Sequence, residues 1–284
     1  MNEWKFYNYA IIPTIPPHIT PNTTVIEDGS IWGVSENRTL LVRWTTDFDC
    51  GFETEWWYCI KDDRIDVDSL KKKRRYEINS GLKNFDVKKI SSMEYAEQIY
   101  NVYAETVQSY VNGGSVTAKE FFINQCIEHE KNSQIEYYGA FDKQDGELAA
   151  YALNHVFDDF VNFTTMKFLP NYLSKKVSAA LVYTMLFDYI NVQDKKYVND
   201  GERSIRHTTN FQDYLIKYFG FRKAYCKLHV QYKPLVRMAI VLLYPMRKII
   251  KNFAKVNTVI NNVSGLLEME SIRRSFGKEL KKKS

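Results

Sequence analysis

Three runs, IEYYGAF at 135–141, LAAYALNHV at 148–156 and FVNFTTMKFL at 160–169, decide how this sequence is read. They are short, rich in aromatic and aliphatic residues, and separated by residues that turn a chain tightly. Asp145-Gly146 lies between the first two, and Asp158-Asp159 between the second and third. Strands joined by such turns form an antiparallel meander.

Upstream of the meander the period changes. Ser91-Ser92-Met93-Glu94 has capping-box spacing, and Tyr95, Ile99, Val102, Tyr103 and Val107 recur at helical intervals. This predicts an amphipathic helix over 92–110, stopped by Asn112-Gly113-Gly114. A second helix is expected from Thr117 to Glu130, and a strand from Phe85 to Ile90 before both. Downstream, Ser174 to Ile190 is apolar on every side, the pattern of a helix buried against a sheet. A short strand at Lys196–Val198 follows. Thr209-Asn210-Phe211-Gln212 repeats the capping spacing ahead of a short helix that stops at Gly220. Lys223 to Tyr232 alternates without interruption, as a half-buried strand does.

Residues 1–80 read differently. Pro13, Pro16, Pro17 and Pro21, then Asp28-Gly29 beside Ile31-Trp32, then Thr39 to Trp44, predict a small antiparallel hairpin unit. A basic helix is expected from Asp68 to Ser80, with Lys71 to Arg75 in a row and Gly81 as its C-cap. Trp56 and Trp57 lie between the two, either in a satellite core or against a sugar face.

Composition sets the outer limits. With 284 residues, 45% hydrophobic and 26% charged, the chain is expected to hold one large α/β domain with appendages. Its 20 Tyr and 17 Phe exceed the needs of a minimal core, and serve either packing or a concave site. Cys50, Cys59, Cys126 and Cys226 are widely spaced, so neither a zinc site nor a disulfide framework is expected, and no metal is. The opening is polar and aromatic, and Met238 to Met246 is too short to span a bilayer. A cytoplasmic protein is expected, peripheral at the inner face of the membrane if its tail binds lipid. The net charge of +5 is unevenly placed: Lys233–Ser284 carries 12 Lys or Arg against 3 Glu, so the rest of the chain is mildly acidic.

From Phe85 to Tyr232 the order is strand, helix, helix, three-strand meander, helix, strand, helix, strand. This order resembles the GNAT acyltransferase fold, a mixed central sheet flanked by helices. Phe219-Gly220-Phe221 is similar to that family's Lys-x-Gly-Phe ending, with Tyr218 where the Lys would stand. Arg74-Arg75-Tyr76-Glu77-Ile78, then Gly81 and Lys83, resembles the entry to the catalytic half of the Fem-type aminoacyltransferases, which are double-GNAT proteins. The resemblance implies an N-terminal β-rich extension with the basic helix at 1–80, the remnant of a first GNAT half. It further implies a GNAT-like domain at 81–233, and the charge pattern beyond it predicts a basic helical tail at 234–284.

The same resemblance implies an acyl-CoA donor inserted where two parallel strands part, its pyrophosphate on the helix after the meander. Ser174, Lys175 and Lys176 are the residues there, with Tyr172 as a substrate contact. The family's loop carries glycines at this point, whereas this chain has none between Gly146 and Gly201. Fem-type enzymes do not rely on that loop and take their acyl group from aminoacyl-tRNA. A Tyr acid cannot be carried over either, because Ile216 occupies its position.

The densest polar cluster, Asn199 to Asn210, falls between a strand end and a helix start, where open α/β sheets place ligands. Acyl transfer needs a base and groups that hold an oxyanion. Asp200, Glu202 or His207 would serve as the base, and Arg203 or Asn210 as clamps; alternatively the segment is a turn, a cap and a surface ion pair. His129 and His155 are read as structural. In the tail, Arg247, Lys248, Lys251 and Lys255 interleave with Ile249, Ile250, Phe253, Val256 and Ile260. Such helices suit an anionic membrane surface, packing on the main domain, or tRNA. DNA is not an expected partner. Two functions fit: an acyltransferase acting on an amino or hydroxyl group of a sugar or cell-envelope precursor, or a non-catalytic binding protein that keeps the fold.

Overall fold

The computed structural model describes residues 3–34, 38–110, 114–205, 210–254 and 257–283. Its strands are β1 (Trp4–Tyr7), β2 (Ala10–Pro13), β3 (Leu41–Thr46), β4 (Trp56–Lys61), β5 (Phe85–Ile90), β6 (Ile135–Asp142), β7 (Leu148–Val156), β8 (Phe160–Phe168), β9 (Tyr197–Glu202) and β10 (Arg222–Tyr232). The helices are α1 (Thr24–Glu27), α2 (Lys72–Asn84), α3 (Ala96–Ser109), α4 (Lys119–Glu130), α5 (Val177–Leu186), α6 (Asn210–Phe219), α7 (Pro234–Leu243), α8 (Arg247–Phe253) and α9 (Thr258–Lys283). From β5 onward the elements follow the expected order, in an α/β fold with a mixed sheet.

The chain forms two compact units, one of residues 59–201 and 211–222, the other of residues 1–58, 202–210 and 223–284. In the first, β5, β6, β7 and β8 pair antiparallel in succession, and β8 pairs parallel with β9. Side chains alternate across this sheet. Tyr137, Tyr151 and Leu153 meet Ala96, Ile99 and Val102 of α3 and Cys126 of α4. The opposite face takes α5, where Asn154 of β7 donates to Tyr189 just beyond that helix. Ala150 and Ala152 are fully buried, and their small side chains let the α5 backbone come close. Seven of the ten α5 residues are buried, each large aliphatic one contributing about 1.5–3 kcal/mol of hydrophobic stabilisation.

Two expectations for the N-terminal part need correction. The hairpin lies at β1–β2 and turns through Asn8 and Tyr9, both at positive φ (46° and 66°). Asp28-Gly29 instead ends a helical turn: Asn22 caps Thr24 N–H at 2.9 Å and Asp28 accepts from Ser30 N–H at 2.8 Å. These side-chain caps hold the segment helical where its turn residues read as a hairpin. Gly81 is not a C-cap, because α2 continues to Asn84. A Cβ at Gly81 would lie 2.6 Å from the Lys176 carbonyl oxygen, so glycine is required there for α2 to pack on α5.

In the second unit β1 pairs with β2, β2 with β3 in parallel, and β3 with β10 antiparallel. Trp56 packs with Cys226, Leu228 and Ile272, a core position. The described residues after Tyr232 are mostly in α7, α8 and α9, and no described helix is long and apolar enough to cross a membrane.

Candidate functional site

β8 and β9 run side by side only briefly. Their pairs are Phe160↔Tyr197, Val161↔Val198 and Asn162↔Asn199, although β8 continues to Phe168. On its other edge β8 stays paired to β7 as far as Phe168, through a bulge that leaves Thr164 between the Asn154↔Phe163 and Leu153↔Thr165 pairs. The strand is thereby bent where its pairing with β9 ends.

Asparagines mark the point of parting. Asn199, buried, donates from Nδ2 to Asn162 Oδ1 at 2.7 Å, and its own Oδ1 accepts from Gly201 N–H at 2.9 Å. Asp200 lies between Asn199 and Gly201, its backbone carbonyl accepting from Gln212 Nε2 at 3.1 Å. Burial pushes the Asp200 carboxyl up to about 7, with Gln212 opposing the shift. A carboxyl that ionises near neutral pH is suited to general-base work.

The residues expected to hold a pyrophosphate are arranged otherwise. Pro170–Lys175 forms a 3-10 turn, and Lys176 precedes α5 in the left-handed conformation, with φ 70°. Lys175 Nζ bonds the buried Asp142 carboxylate at 2.5 Å. Burial alone would raise that carboxyl, but Lys175 and the Gln144 N–H hold it below its ordinary range. Asn84 donates to the Lys175 carbonyl at 3.1 Å. Val177, Ala179 and Ala180 in the first turn of α5 are buried, and α2 closes on it at Gly81. Tyr172 donates toward Asp145 and Glu147 at 3.2 and 3.1 Å. An anion at a helix start needs open N–H groups and free cations, and here Lys175 is engaged by Asp142 while Val177, Ala179 and Ala180 are buried.

The other unit gathers Glu202 and Arg203. They line a cavity of about 670 Å³ with Tyr7, Arg43, Trp56 and Leu266. Arg43 is ion-paired with Glu202, and its guanidinium carbon lies 5.7 Å from the centre of the Trp56 ring. Arg203 bonds Glu55 Oε2 at 2.5 Å and donates its backbone N–H to the Trp57 carbonyl at 2.9 Å. Asn210, exposed, is the first residue of α6. His207 falls outside the described residues, as do Arg206, Thr208 and Thr209.

Sequence reasoning missed Asn162, Gln212, Arg43 and Arg74. Asn162 had a signal, being a polar residue inside an apolar strand run. Arg74 had one only in the resemblance of Arg74 to Ile78 to the Fem-type entry, which gave no sign of its burial. It is buried against Tyr218, 3.8 Å from guanidinium carbon to ring centre, and ion-paired with Glu77 at 2.8 Å.

No family model and no curated protein matches this sequence. Among solved structures it is similar to FemX, with a TM-score of 0.55, 9% identity, and coverage of 75% of this chain and 78% of that one. It is also similar to the C-terminal domain of a putative lysylphosphatidylglycerol synthetase from Agrobacterium fabrum, with a TM-score of 0.49, 9% identity, and coverage of 84% and 83%. A tandem GNAT protein from the clavulanic acid biosynthesis pathway gives a TM-score of 0.45, 11% identity, and coverage of 79% and 75%. With the helix-flanked mixed sheet, the parting strands and this element order, the chain has the GNAT-type acyltransferase fold.

Proposed function

We propose that this protein transfers an aminoacyl group from an aminoacyl-tRNA ester onto an amino or hydroxyl group of a sugar or cell-envelope precursor. The observation that carries this reading is the parting of β8 from β9 beside Asp200. From Phe163 onward β8 pairs with β7, leaving its other edge to meet an acyl chain in strand fashion. Asp200 takes the proton from the attacking nitrogen or oxygen, which bonds to the ester carbonyl carbon. The tetrahedral adduct then expels the ribose oxygen of the tRNA, and that oxygen takes up the proton held by Asp200, restoring the carboxylate.

The engagement of Lys175 by Asp142 and the largely buried first turn of α5 support an ester donor over a thioester of coenzyme A. Acetyl-CoA at millimolar concentration is accordingly expected to leave the melting temperature unchanged, because only a ligand that binds the native state raises it. Stabilisation by several degrees would overturn the choice of donor. The same arrangement also favours a GNAT-fold binding protein, and Asp200→Asn separates the two readings. In a transferase the substitution lowers kcat/KM by about 10²–10⁴-fold and removes a dependence that rises with pH to a plateau above Asp200 ionisation. A binding protein has no turnover to lose.

The same carboxyl makes a stability prediction. Its folded pKa of about 7 lies above the unfolded value, so the native state binds the extra proton between about pH 4 and 7. Stability contributed by Asp200 is therefore fully present at acid pH and lost as pH rises through 7. At about 1.4 kcal/mol per unit the change is on the order of 4 kcal/mol, and Asp200→Asn flattens it. Urea unfolding across that range measures it.

A further inference from the structure

Helices α7 and α8 carry an exposed apolar face. Of the eighteen large hydrophobic residues that are exposed among the described residues, eight fall between Leu235 and Val259. Leu235 is 79% exposed, Met238 62% and Leu242 72%, at the i, i+3, i+7 spacing that puts them on one side of α7. Ile240, the buried residue of that helix, points away from them. Met246, Ile249 and Phe253 continue the apolar exposure along α8, each at 50–56%.

Charge identifies what covers this face. From Pro234 to Leu267 the sequence has no acidic residue, while Arg237, Arg247, Lys248, Lys251 and Lys255 are interspersed with the apolar side chains. Arg237 and Lys248 are exposed within the same helices. A protein partner of ordinary composition would match the apolar part alone. A bilayer surface bearing anionic headgroups matches both, since acyl chains receive the aliphatic side chains and phosphates the cations.

We infer that α7 and α8 form a docking face for an anionic phospholipid membrane, with Leu235, Met238, Leu242, Ile249 and Phe253 inserted below the headgroups. The inference is independent of the transfer reaction, because vesicle binding is read without turnover. It is tested by flotation of the full chain with vesicles of phosphatidylglycerol and phosphatidylcholine, and with phosphatidylcholine vesicles alone. Binding to the anionic vesicles is expected to be at least about tenfold tighter, and to fall by a similar factor in both Leu235→Glu/Leu242→Glu and Arg237→Glu/Lys248→Glu. All four residues are exposed, and circular dichroism verifies that both variants fold. Failure of the full chain to float with anionic vesicles would overturn the proposal. So would unchanged binding by both folded variants, or self-association that Leu235→Glu/Leu242→Glu abolishes in a chain that never binds lipid.

Discussion

Helices α5 and α7 are each ten residues long and dominated by apolar side chains, yet one is enclosed and the other lies open. In α5 seven residues are buried, from Val177 to Leu186; in α7 Ile240 is the buried one. The difference follows from what each helix can approach. Ser178, Ala179 and Ala180 keep one side of α5 thin, and Gly81 on α2 and the alanines of β7 complete the fit. Helix α7 has a single alanine among its Leu, Val, Ile and Met residues, together with a cation, Arg237. Apolar composition states that a helix needs a partner; side-chain size and neighbouring surface decide whether the chain itself supplies one.

Three substitutions sharpen the comparison, each measured by urea unfolding. Leu181→Ala in α5 empties a fully buried site and is expected to cost about 3–5 kcal/mol. Gly81→Ala drives a methyl against the Lys176 carbonyl, for a loss of about 1–3 kcal/mol. Leu242→Ala on α7 removes a side chain that is 72% exposed, and should leave stability within about 0.5 kcal/mol. If Leu242→Ala cost as much as Leu181→Ala, α7 would be a core helix and the membrane face would lose its basis.

The comparison also bears on what the sequence discloses. The meander was legible because its turns use Asp-Gly and Asp-Asp, and β5 and β7 occupy the expected residues. The α1 region was misread because Asn22 and Asp28 act as local caps, which resemble hairpin turns in sequence. The β1–β2 turn was hidden for the opposite reason, since a Tyr at positive φ carries no turn signal. Strand β4 was missed because Trp-Trp-Tyr-Cys-Ile has no alternation to read. For the site, Asp200 was legible as a carboxylate at a strand end, but its burial and its Gln212 neighbour depend on tertiary packing. Expectations for Ser174, Lys175 and Lys176 came from the resemblance alone. The Lys175–Asp142 pair and the approach of α2 at Gly81 lie too far apart in sequence to be read from it.

Acyl transfer at the parting of β8 and β9, with Asp200 as base, is open to assay. The most direct test mixes the purified chain with tRNA carrying radiolabelled amino acids and a cell-envelope precursor extract, and follows label leaving the tRNA. Transfer of label into the precursor fraction by the native chain, lost in a folded Asp200→Asn variant, is the predicted result. No transfer with any amino acid, or equal transfer by the variant, would contradict the account.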